Sequence, residues 1–161
     1  MKKILLTTLL FIVGGATALA VPDKKTVLDA IAVIETSHDG VALGAAIPTV
    51  IQFAKESPDV MLIASADATP WLIEDIKLPK EQAETVKSLL LASYAAGAIK
   101  AQLAQGKLDG NPYPGWLPAI KKYQELKQRF TFKIPGMEKL CRLQDEGTLQ
   151  AFADEVARKN K

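Results

Sequence analysis

The chain has 161 residues, with 20 Lys and Arg against 18 Asp and Glu, a single His and a single Cys. One cysteine excludes an intramolecular disulfide, one histidine leaves no ligand cluster for a zinc site, and the interspersed charges offer no clustered basic surface for nucleic acid. The only basic run is Arg158-Lys159-Asn160-Lys161, which suits the C-terminal end of a helix dipole.

Residues 1–20 read as a cleaved secretory signal peptide. Lys2 and Lys3 give the positive start, Ile4 to Val13 an apolar run broken only by Thr7 and Thr8, and Ala18-Leu19-Ala20 the small-residue cleavage pattern. The run falls short of the roughly 20 apolar residues that a spanning helix needs. Val21 stands where a lipoprotein needs its lipid-accepting Cys, so no stable membrane anchor is expected after cleavage, and the location is periplasmic or secreted. Removing residues 1–20 takes two lysines and no acid, which lowers the formal charge from +2 to 0.

Residues 21–161 read as a single helical domain, since no linker, low-complexity tract or internal repeat interrupts them. Asp23 caps a first helix with Val27, Leu28, Ile31 and Ile34 on one face. Ser37-His38-Asp39-Gly40 ends it. A second helix follows from about Val41 to Glu56, with a kink or restart near Pro48, which removes a donor and crowds the carbonyl four residues back. Ser57-Pro58 and Thr69-Pro70 each place a capping side chain before proline and predict two short helices. For Val60 to Ile63 a buried strand is the alternative.

A long helix over about 79–105 is the clearest element, opened by Pro79 and stopped by Gly106. Val86, Leu89, Leu90, Tyr94, Ile99 and Leu103 are joined there by the small residues of Ala92 to Ala98, so the helix belongs at the centre and Gly97 serves close helix packing. Residues 106–115 are a turn-rich connection. Helices from about Trp116 to Arg129, from Pro135 to near Gly147, and after a Thr148 cap complete the chain. The fold class expected is all-α, a compact multi-helix bundle or orthogonal array around the long helix.

No catalytic, cofactor-binding or metal-binding residue is assigned. His38 lies in a polar turn, Cys141 reads as a small core residue with an intermolecular disulfide as the alternative, and the acid pairs Glu74-Asp75, Asp145-Glu146 and Asp154-Glu155 read as solvated helix faces. Tyr113 and Trp116, flanking Pro114-Gly115 in the expected surface connection, are the candidate partner-binding residues; the competing reading folds both rings back onto the bundle. The function expected is a protein-interaction module that engages another envelope protein or a second copy. A small apolar-ligand carrier with a cavity near Pro48 and Ala92 to Ala98 is second, and a carboxylate-dependent envelope hydrolase third.

Overall fold

The computed structural model describes residues 20–160. The export signal expected at residues 1–20 therefore lies outside the described residues, but for Ala20. Among the described residues there are six α-helices: α1 (Lys24–Thr36), α2 (Gly40–Glu56), α3 (Lys80–Gln105), α4 (Tyr113–Arg129), α5 (Pro135–Asp145) and α6 (Leu149–Lys159), with one 3-10 turn at Pro70–Leu72. The fold is an all-α bundle dominated by α3, whose 26 residues span roughly 39 Å.

Local chemistry sets most helix ends. The Asp23 carboxylate accepts from Thr26 N at 2.7 Å, and Asp39 accepts from Val41 N and Ala42 N, so each satisfies backbone donors that a helix start leaves orphaned. Gly106 ends α3 at φ +61°, a conformation that costs a side-chain-bearing residue about 1 kcal/mol or more. The helix α2 runs on through Pro48 without a restart, unlike the break expected there. Thr148 makes no capping hydrogen bond; its hydroxyl turns back to Leu143 O instead.

α3 serves two cores at once. Toward its N-terminal half, Ala83, Val86, Leu90 and Tyr94 join Trp71, Trp116, Ile120, Tyr123, Met137 and Val156 in one cluster. Its second half gives Ala92, Ala95, Ala96 and Ile99 to a cluster with Val27, Ile31 and Ile34 of α1 and Val50 and Phe53 of α2. Full burial of each larger aliphatic side chain contributes about 1.5–3 kcal/mol. Leu28, expected on the buried face of α1, is exposed.

The small-residue stretch of α3 exists for α4. A Cβ on Gly97 would stand 2.6 Å from Pro118 Cγ, and one on Gly115 would stand 2.6 Å from the Tyr94 carbonyl oxygen. The two glycines let the axes close to a distance that any larger residue forbids.

Candidate functional site

Four stretches of five or more residues lie between the helices of the described chain, 57–69, 73–79, 106–112 and 130–134, and the first and last differ in how many side chains reach their backbone. The first is residues 57–69. Of the two short helices expected, the one after Ser57-Pro58 does not form, since Val60 to Ile63 have no regular structure, while the one after Thr69 forms as a single 3-10 turn with Pro70 at its start. Ser57 accepts from Asp59 N at 3.2 Å, closing a turn rather than capping a helix. Beyond it the chain lies along α3 and takes its partners from side chains.

Gln102, 2% exposed, behaves as a detached peptide group. Its Oε1 accepts from Met61 N at 2.9 Å, and its Nε2 donates to Met61 O at 2.9 Å. Oε1 also accepts from Asp109 N at 3.0 Å, tying the loop after α3 to the same amide. Tyr94 donates its hydroxyl to Ile63 O at 2.9 Å, and burial raises its pKa well above the usual phenol range, so that donor stays protonated. Side chains of helices replace the missing ladder of a β-sheet.

Trp116 belongs to this same locking system. It is 0% exposed, its Nε1 donates to Ala68 O at 2.7 Å, and its ring stacks on Phe152 with centroids 5.5 Å apart. The expected surface connection is in fact the first turn of α4, which starts at Tyr113, three residues earlier than expected, because Pro112 opens the helix instead of prolonging the turn. Tyr113 is half-buried against the same core. Trp116 offers no face to a partner; it holds residues 57–69 in place.

The last stretch is residues 130–134, between α4 and α5. Phe130 and Ile134 both have extended backbone, and burial alternates over residues 131–134: Phe132 and Ile134 are buried while Thr131 and Lys133, and Phe130 before them, are exposed. Ile134 N donates to the Tyr123 hydroxyl at 3.1 Å. The N–H and C=O groups of Thr131, Phe132 and Lys133 meet no hydrogen-bond partner among the described residues. Period-two alternation is the strand signal, and here it marks a strand with no neighbour.

A cleft of about 640 Å³ opens beside this segment, lined among others by Phe130, Phe132, Lys77, Lys127, Lys133 and Asp75. Phe130 is 37% exposed, and neither Lys77 nor Lys133 lies within salt-bridge distance of a carboxylate among the described residues. Lys127 is committed: its Nζ lies 2.6 Å from Glu138 Oε1, which also accepts from the Tyr123 hydroxyl. Lys127, and after it Tyr123, hold the Glu138 carboxyl below the usual range. Burial, together with Glu138, raises the Tyr123 pKa.

Two other clefts are less available. One of about 480 Å³ lies between Met61, Ile63, the Asp109–Asn111 loop and the end of α6, but much of its polar rim is spent internally. Asn111 Nδ2 donates to Asp154 Oδ1 at 2.7 Å, Gln150 to the same oxygen at 2.9 Å, and Asn160 to Val156 O at 2.8 Å. Another of about 270 Å³ lies over Ser93 and Ala96 and is rimmed by Glu35, Lys121, Lys122 and Glu125. The Lys122 side chain there is 9% exposed and pairs with Glu125 at 2.7 Å, while the buried Ser93 hydroxyl finds no partner.

The remaining candidates have structural or solvent-facing places. Glu74 accepts from Gly136 N through both oxygens, at 3.0 and 2.9 Å, at the start of α5. Glu155 pairs with Lys159 and Glu146 with Arg142. His38 is exposed, and no group of three or more His, Cys, Asp or Glu among the described residues is placed to hold a metal. Cys141 is half-buried against the core, and burial pushes its thiol pKa up, which disfavours the reactive thiolate. No helix among the described residues is long and apolar enough to cross a membrane. Comparison with family models, with curated proteins and with solved structures finds no match in any of the three.

Proposed function

We propose that the chain is an exported protein-interaction domain, and that its contact surface is the cleft along Phe130 to Pro135 rather than Tyr113 and Trp116. Export rests on the charged start, apolar run and Ala18-Leu19-Ala20 pattern of the first 20 residues. The interaction reading rests on one observation above all: a segment with extended backbone at both ends and unpaired backbone groups between them stands next to an exposed aromatic ring in a cleft that holds two lysines without a salt bridge among the described residues. An open strand edge is a ready template for another chain, and proteins ordinarily cover or charge such edges.

The proposal is tested by placing a photo-crosslinking phenylalanine analogue at position 130 and, as control, at position 41, where Val41 is 82% exposed and remote in sequence from the cleft. The expected result in the native envelope is one defined adduct from position 130, none from 41, and loss of the adduct when Lys77 and Lys133 are both changed to Glu. Equal labelling from both positions overturns the proposal. N-terminal sequencing of the exported product tests the address, with Val21 as the expected first residue.

A further inference from the structure

The extended segment and the lysines around it go further, to the chemistry of the occupant. In an extended chain the N–H and C=O of one residue point to the same edge, and the next residue's point to the opposite edge. Ile134 turns its N–H inward to Tyr123. The outward edge is therefore that of Thr131 and Lys133, the same two residues whose side chains are exposed. Free donors and acceptors repeat along this edge at the spacing of a second strand.

We infer that the occupant is an extended peptide segment of a partner protein, pairing with Thr131 and Lys133 as an added strand and carrying acidic residues on either side of an apolar one. The inference rests on the interaction reading above. The acidic residues meet Lys77 and Lys133, the two lysines of the cleft that form no salt bridge among the described residues, and the apolar residue meets the exposed face of Phe130. Strand addition draws its affinity from main-chain hydrogen bonds and its selectivity from the side-chain pockets beside them. Asp75 lies in the same cleft and excludes an acid at the position facing it. The volume, about 640 Å³, is within the range of sites that enclose a few side chains.

Charge also decides against two other occupants. A second copy pairing edge to edge would bring only another Thr131 and Lys133 to this edge and so supply no carboxylate to either lysine. An anionic membrane surface would satisfy the lysines but leave the N–H and C=O groups of Thr131 and Lys133 without a matching chain.

The test uses the full mature chain and four probes: a short peptide alternating Glu and Val, the same peptide with Gln for Glu, the Glu and Val peptide with alternate amides N-methylated, and vesicles of phosphatidylglycerol with phosphatidylcholine. The expected result is saturable binding of the first peptide, with amide shifts at Thr131 and Lys133 and weakening as salt rises. Affinity should fall about tenfold for the Gln peptide, and similarly for the Lys77→Glu, Lys133→Glu double variant, the order that two exposed ion pairs supply. Binding of the N-methylated peptide should be lost.

Equal affinity for the Glu and Gln peptides, indifference to N-methylation, or binding to vesicles alone would overturn the inference. Circular dichroism of the double variant confirms that a lost signal is not a lost fold. If no peptide binds while position 130 still crosslinks one defined protein, the chemistry assigned to the occupant is wrong and the contact surface stands. If both fail, the surface falls too.

Discussion

Residues 57–69 and residues 130–134 are both chain without helix, packed on the same bundle, and their backbones fare differently. In the first, Gln102, Tyr94 and Trp116 reach out from α3 and α4 and take up Met61 N, Met61 O, Ile63 O and Ala68 O, while the backbone groups of Val60, Leu62 and Ala64 between them meet no partner among the described residues. In the second, one hydrogen bond from Ile134 to Tyr123 anchors the end of the segment, and three residues keep their donors and acceptors unpaired. Three large side chains with polar tips are spent on closing one segment and only one on the other. Both segments leave some backbone unpaired; what distinguishes 130–134 is its single side-chain anchor and the cleft beside it, where Lys77 and Lys133 form no salt bridge among the described residues.

The comparison breaks first at Trp116. Its replacement by alanine should cost about 3–5 kcal/mol, because it empties a fully buried site and orphans the Ala68 carbonyl, and urea unfolding would show the midpoint collapse. A folded Trp116→Ala protein that had lost only a partner would instead restore the tryptophan as a contact residue. Gln102→Ala comes next, at about 2–3 kcal/mol, since Met61 N, Met61 O and Asp109 N lose their partner together; the same unfolding measurement checks it.

A matched pair of prolines sharpens the contrast. Met61→Pro removes a donor that Gln102 uses and should cost about 1–2 kcal/mol. Thr131→Pro removes a donor that meets no partner, follows a residue already extended as proline requires, and should stay within about 0.5 kcal/mol. Equal destabilisation by thermal melts would mean that residues 130–134 are held by something other than Tyr123. The smallest effect is electrostatic. The Glu138 pKa is depressed from 4.5, so its pairing with Lys127 and Tyr123 stabilises the fold fully above the ordinary carboxylate range and is lost as pH falls through the lower, folded value. Glu138→Gln should flatten that acid limb of the stability profile.

Much of the scaffold was legible because helix periodicity and end signals are local. Pro79 and Gly106 bracket α3, Asp23 caps α1, and Gly97 foretells the close approach of α4. The rest was hidden because it depends on residues far apart. Nothing within Val60 to Ile63 says that Gln102, 41 residues away, will supply its missing hydrogen bonds, so a short helix was the natural local reading. Trp116 looked like a loop aromatic because Pro112 and Pro114 resemble turn punctuation, while its partners, Ala68 and Phe152, are distant in sequence. The segment at 130–134 carried a signal that was overlooked: the alternation of Phe132 and Ile134 with Thr131 and Lys133 has the period of a strand, in a chain where every other pattern has the period of a helix.

Amide hydrogen exchange on the free protein, resolved residue by residue, tests the contrast most directly. The amides of Met61 and Asp109, both accepted by Gln102, should be protected and exchange only through opening of the bundle, while those of Thr131 and Lys133 exchange at rates close to an unstructured chain. Protection of Thr131 and Lys133 equal to that of Met61 would contradict the account, for the segment read as open would already be closed.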